Sequence, residues 1–281
     1  MRCAEPRRYR KGGPSVRLTA GQVAVITGGT SGIGFALADQ LVRRGVTVMI
    51  ADVREAAIPV AVSALSGHAA EVVGVHTDVA VEADVQALAD ATMERFGRVD
   101  LVCNNAGVVC ESAPTWEQSI ETWRWLADVK LMGVVHGVRA FAPLMVMQGS
   151  GHFLNTASAG GLMPLPTLSP YNATMHAVVG LTETLNVELR SVSSDLGATV
   201  LCPGLVEAKL GSNSAALAPT GAVPTPDDPG SDPAYGVAMT PTTVARAALD
   251  AVEAGRVHAI VGPGTDVVVR RRVDALLADL G

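Results

Sequence analysis

From residue 20 onward, short runs of β-branched and other apolar residues alternate with longer amphipathic stretches. "QVAVITGG", "VTVMIAD", "EVVGVHTD", "VDLVCNNAG", "GHFLNTAS" and "GATVLCPG" read as strands, and "VHAIVG" near the end makes a seventh. Helical patterns of adequate length lie between them. Thr240 followed by Pro241 has the chemistry of an N-cap and first turn, opening the helix "TTVARAALDAVEAG". Regular alternation of strand and helix implies right-handed crossovers. It predicts a single α/β domain, a Rossmann-like doubly wound parallel sheet with helices on both faces.

Two segments stand outside this alternation. Residues 1–18, beginning "MRCAEPRRYRKGGPSVR", set six Arg and Lys against one Glu and are expected to form a disordered basic arm ahead of the domain at 19–281. Residues 211–240 are rich in Pro, Gly, Ala and Ser. A structureless insertion of that length is usually a lid or a disordered loop, so a substrate lid is predicted at about 205–240. Within 211–240 the only charges are Asp227, Asp228 and Asp232 and the apolar residues are small, which favours a neutral, fairly hydrophobic substrate.

Composition narrows the picture. Hydrophobic residues make up 48% of the 281-residue chain and charged ones 17%, fitting a sheet buried on both faces. A net charge of -6 argues against general nucleic-acid binding. No Asp, Glu, Lys or Arg occurs from Ala140 to Thr182, but Pro143, Pro164, Pro166 and Pro170 interrupt that stretch, which reads as buried interior rather than a membrane span. The arm lacks the apolar segment of a secretory signal. Cys3, Cys103, Cys110 and Cys202 show no CxxC spacing, so reduced thiols in a cytoplasmic protein and no metal site are expected.

The strands end in small or polar residues, and in open parallel sheets ligands bind outside those ends. "TGGTSGIG" (27–34) follows an apolar strand and opens a helix. Gly28 and Gly32 permit turns that a side chain would block. Gly34 allows close helix packing, and a pyrophosphate can then rest on the helix N-terminus beside Ser31 and Ile33. Asp52, in "MIADVRE", ends the second strand, where a carboxylate accepts hydrogen bonds from ribose hydroxyls and repels a 2'-phosphate. NAD is therefore favoured over NADP, although Arg54 stands close by. The other reading of Asp52 is a cap on the following helix.

With these residues in view, the sequence resembles the short-chain dehydrogenase/reductase family over roughly residues 20–265. "TGxxxGIG" is Thr27 to Gly34, "NNAG" is Asn104 to Gly107 with Asn105 inside it, and "PG" is Pro203-Gly204, followed by Val206. Asp78-Val79 match the pair that holds adenine. Ser158 precedes Tyr171 by thirteen residues, the spacing of the family's catalytic serine and tyrosine. The resemblance implies strand order 3-2-1-4-5-6-7, subunit contacts through the fourth and fifth helices of a homo-oligomer, and hydride transfer between nicotinamide and an alcohol or carbonyl carbon. Tyrosine would move the proton and serine would orient the oxygen. A lysine four residues after the tyrosine, and an asparagine on the fourth helix, would complete the set.

Two of those four residues differ here. Met175 stands at the lysine position, Lys130 in "DVKLMGV" stands at the asparagine position, and Ala208 replaces a threonine that often follows the PG motif. His176 lies about 140° around a helix from Tyr171, so it is given a structural role. Lys130 is the one nearby cation; it either reaches Tyr171 across Met175 or turns to solvent and pairs with Asp128. The expected function is NAD-dependent oxidation or reduction of a small, neutral or hydrophobic alcohol or ketone, carried by Tyr171, Ser158 and Lys130. The alternative is an NAD-binding pseudoenzyme or sensor. A structural protein whose basic arm meets an acidic partner is a third possibility.

Overall fold

A computed structural model describes residues 16–68, 70–219 and 237–280. Seven parallel strands form one sheet: β1 (Val23–Thr27), β2 (Thr47–Asp52), β3 (Val72–His76), β4 (Leu101–Asn104), β5 (Gly151–Thr156), β6 (Leu196–Pro203) and β7 (His258–Val261), in the order β3-β2-β1-β4-β5-β6-β7. Every residue of β1, β4, β5 and β6 is buried, while β3 and β7 at the edges are partly exposed. The apolar runs therefore mark strands covered on both sides.

One face is covered by α1 (Gly32–Arg43), α2 (Ile58–Leu65) and α8 (Pro241–Glu253), through residues such as Leu37, Leu41, Leu65 and Leu249. The other is covered by α3 (Glu82–Phe96), α5 (Gly133–Gln148) and α6 (Ser169–Val192), through Leu88, Phe141, Met145 and Leu185. Thr240 caps α8, its side chain accepting the Thr243 N–H at 3.3 Å. α3 and α5 each end on a left-handed glycine, Gly97 (φ 69°) and Gly149 (φ 79°), a geometry that avoids a Cβ penalty.

α4 (Ile120–Leu126) runs through a π-helical turn, Ala127–Met132, into α5. Ile120–Gln148 as one helix is long and apolar enough to cross a membrane by length and composition. Leu126, Val134, Phe141 and Met145 along it are buried in the core. α9 (Thr265–Ala278) follows β7 and is largely exposed.

Two boundaries differ from the sequence reading. Residues 16–18 belong to the domain and not to an arm: Val16 and Leu18 pack against the core, and the Leu18 N–H reaches Glu253 Oε1 at 3.2 Å. Residues 1–15 lie outside the described residues. The expected lid is not uniformly irregular, since α7 (Leu210–Leu217) forms within it and Val206 bridges Met239. Residues 220–236, with Asp227, Asp228 and Asp232, lie outside the described residues.

Candidate active site

The order of the sheet reverses between β1 and β4, and a crevice of about 1280 Å³ opens at the carboxyl ends of the strands there. At the floor of its first half lies the turn from β1 into α1. Gly28 adopts φ 65°, and a Cβ there would meet Ala106 Cα at 2.9 Å, so only glycine lets the two loops touch. Ser31, Gly32 and Ile33 line the crevice. The Ser31 hydroxyl makes no capping bond to α1, which leaves the helix N-terminus available to an anion. Gly34 does not line the crevice: a Cβ there would come 2.2 Å from Gly28 O, so this glycine serves the packing beneath the turn.

Asp52 ends β2 with its side chain buried. One oxygen accepts from Thr30 N (3.2 Å) and Thr30 Oγ1 (2.5 Å), and the other from Arg54 N (3.0 Å) and Nε (3.4 Å). It caps no helix. Arg54 extends the network: Nη2 donates to Thr30 Oγ1 (2.7 Å) and Ser31 Oγ (2.8 Å), and Nη1 donates to Asn213 Oδ1 (2.8 Å) on α7. Further along, Asp78 and Val79 line the same wall. The buried Thr77 hydroxyl beside them also lines the crevice and has no hydrogen-bond partner among the described residues. An unsatisfied buried hydroxyl is costly unless a ligand meets it. A glycine cradle, a free helix N-terminus, a carboxylate and an orphaned hydroxyl along one wall fit an adenine dinucleotide.

The second half carries the reactive side chains. Asn105 and Gly107 follow β4, Ser158 follows β5, Pro203, Gly204, Val206 and Ala208 follow β6, and all line the crevice. Ser158 accepts the Gly160 N–H at 3.1 Å, which fixes its hydroxyl at the strand end. Tyr171 stands on the first turn of α6. Burial raises its phenol above the ordinary value, and the hydrogen bond from Ser158 opposes that rise.

Lys130 sits in the π-helical turn, a feature frequent at functional sites. It is 5% exposed and lines the crevice, and its Nζ lies over the Tyr171 ring, 5.4 Å from the centroid. Burial lowers its pKa to about 8. Among the described residues no carboxylate pairs with it, so neither solvent nor Asp128 takes the ammonium. Gly107 makes the space: a Cβ there would lie 2.5 Å from Nζ.

Met175 is fully buried among Val178, Ala157 and Cys202, with Tyr171 against the cluster, and it does not line the crevice. Apolar packing occupies the position where the resemblance implies a cation. His176 bonds back to Asn172 O (3.0 Å), the structural role expected of it.

Sequence reasoning missed three parts of this site. Arg54 was noted, but not its bonds to Thr30, Ser31 and Asn213. Thr77 has no motif to mark it. α7 spans the crevice: Asn213 Nδ2 also reaches Ser31 Oγ (3.3 Å), while the next residue, Ser214, accepts the Val109 N–H (3.0 Å) from the loop after β4. The Pro and Gly content of 211–240 hid this helix; its "NS" pair of polar residues was the only signal.

Residues 22–217 match the family model described as short chain dehydrogenase. Over its fold the chain is similar to a short-chain dehydrogenase/reductase from Burkholderia phymatum solved in complex with NAD, with 38% identity and a TM-score of 0.85, covering 94% of this chain and 97% of that one. A CLA biosynthesis dehydrogenase/reductase of Lactiplantibacillus plantarum is 34% identical over 190 residues, 67% of this chain and 66% of that protein. A levodione reductase of Leifsonia aquatica is 36% identical over 203 residues, 72% of this chain and 75% of that one.

Proposed function

The chain belongs to the short-chain dehydrogenase/reductase family, and from that membership we propose that it is an NAD-dependent oxidoreductase whose proton-transfer group is Tyr171. As a family member it acts on hydroxyl or keto groups. We propose further that the substrate is a small, hydrophobic alcohol or ketone. Val108, Trp125, Val129, Met163 and Leu165 on the crevice wall favour apolar surface over charged groups.

NAD, when bound, supplies the hydride acceptor. Gly28, Ser31, Gly32 and Ile33 would hold its pyrophosphate, Asp52 the adenosine ribose, Asp78 and Val79 the adenine. Asn105, Gly107, Pro203, Gly204 and Val206 would flank the nicotinamide end. The Ser158 hydroxyl orients the substrate oxygen. During reduction the Tyr171 phenol gives its proton to that oxygen, and during oxidation the phenolate takes it back. Lys130 favours the phenolate by placing positive charge over the ring, the task for which Met175 is unsuited.

The position of Lys130 over Tyr171 is the single observation that carries this reading. An intact serine and tyrosine without a cation would leave oxidation slow near neutral pH. We place the enzyme in the cytoplasm as a homo-oligomer. Cys103, Cys110 and Cys202 are buried thiols, and exposed Val146 and Met147 on α5, which continues α4 as the fourth helix, with Val187 and Val192 on α6, the fifth, suit subunit contacts through the helices named by the resemblance.

The deciding experiment is turnover by the Tyr171→Phe variant alongside its NAD affinity. Loss of turnover by about 100-fold or more, with affinity for NAD within twofold, is the expected result. Wild-type rates in this variant would overturn the assignment.

A further inference from the structure

Thr167 is the only described residue other than glycine with a positive φ, 67°. A β-branched side chain is rare in that region, and holding it there costs on the order of 1–3 kcal/mol. The surroundings hold it firmly. Its carbonyl accepts the Ala113 N–H (3.0 Å) and Gln118 Nε2 (3.1 Å), and Gln118 also ties down Glu111 O (3.0 Å). The loop before α6 and the loop after β4 are thus locked together at the crevice wall.

On that wall the Thr167 hydroxyl meets Ser112 Oγ at 2.5 Å, and both residues are exposed to the crevice. Counting protons defines what the pair offers. Thr167 Oγ1 donates its one proton to Pro166 O (2.6 Å). With both bonds made, Ser112 is the donor to Thr167 Oγ1, and Ser112 Oγ keeps open lone pairs toward the crevice. The pair therefore suits a hydroxyl, and suits a carbonyl or ether oxygen poorly. Thr167 and Tyr171 are four positions apart in the chain, a reach of at most about 14 Å.

We propose that Ser112 and Thr167 form a second substrate subsite, so that the substrate class is a diol or hydroxyketone: one oxygen reacts at Ser158 and Tyr171, and a distal hydroxyl on an apolar framework donates to Ser112. This rests on the redox reading of the crevice and adds the second hydroxyl to it.

The test uses hydroxyketones built on one, two and four fused saturated rings, each with its O-methyl ether and its deoxy analogue. Two quantities are measured: kcat/KM with NADH, and affinity for the protein with NAD by calorimetry. For one ring size the free hydroxyl is expected to be favoured about 10-fold over both analogues. In Ser112→Ala and in Thr167→Gly, a residue that holds positive φ without strain, that ratio should fall to near one. A purely structural role would lower all three substrates together and leave the ratio unchanged. An unchanged ratio in both variants overturns the subsite, as does equal use of hydroxyl, ether and deoxy compounds on every ring size. Absence of turnover on every ketone overturns the redox reading instead, and the calorimetric ratios still decide the subsite.

Discussion

Lys130 and Tyr171 come from different helices and meet with the ammonium 5.4 Å from the ring centroid, while the residue one turn below the tyrosine, Met175, is sealed in the core. The positive charge expected on the tyrosine's own helix is supplied from the π-helical turn of the neighbouring one.

If that charge tunes the phenol, the oxidation rate against pH should report it. Lys130→Met is expected to move the alkaline rise upward, because burial alone raises the Tyr171 phenol. Met175→Lys in the same background should bring the rise back down. A double-mutant cycle on the pH midpoint checks this, and strictly additive effects would dissociate Lys130 from the tyrosine.

The same lysine should mark the pH dependence of stability. Its folded pKa of about 8 lies below the ordinary 10.5, so between those values the unfolded chain holds a proton that the folded chain has released. Stability from this group must therefore rise with pH across that window. Urea unfolding of wild type and Lys130→Met from about pH 7 to about pH 10.5 isolates it. The wild type should gain on the order of 3 kcal/mol relative to the variant, at about 1.4 kcal/mol per pKa unit. A constant difference would mean the ammonium is better solvated than its burial implies.

Cofactor choice depends on the Asp52 carboxylate. NADH should bind at least about 10-fold more tightly than NADPH, since a 2'-phosphate would face that charge. Asp52→Ala should narrow the gap, because it removes the repulsion and releases Arg54, already bonded to Ser31 and Asn213, toward a phosphate. Equal affinities in the wild type, by fluorescence titration, would reverse the assignment.

Gly107→Ala should destabilise the fold by about 1–3 kcal/mol through overpacking against the lysine stem. In a Lys130→Ala background the same change should cost clearly less. Unfolding midpoints of the four proteins measure the coupling, and its absence would show that the lysine swings aside freely.

Much of this was legible beforehand. The seven strands follow from apolar runs and turn residues, because a sheet buried on both faces leaves a strong imprint on the sequence, and their order follows from the family resemblance. Gly28 and Asp52 stand at a strand end or helix start that the pattern marks, and the resemblance singled out Ser158 and Tyr171 by their spacing. The rest depended on geometry that spacing does not encode. A π-helical turn is one residue out of phase with the 3.6-residue repeat, so the pattern in "DVKLMGV" leaves open whether Lys130 reaches Tyr171 or turns to solvent and Asp128. The left-handed Thr167 is invisible because threonine is the wrong residue to signal it. Arg54 sits two positions after Asp52, but its partners come from the glycine loop and from a helix that a Pro- and Gly-rich composition disguised.

That helix has a kinetic meaning. Asn213 and Ser214 are adjacent, project about 100° apart from one axis, and hold opposite walls of the crevice, the first at Ser31 and Arg54 and the second at Val109. If α7 moves as one body, both contacts are lost together, so Asn213→Ala and Ser214→Ala are each expected to shorten the residence times of dinucleotide and substrate alike, which stopped-flow dissociation would show.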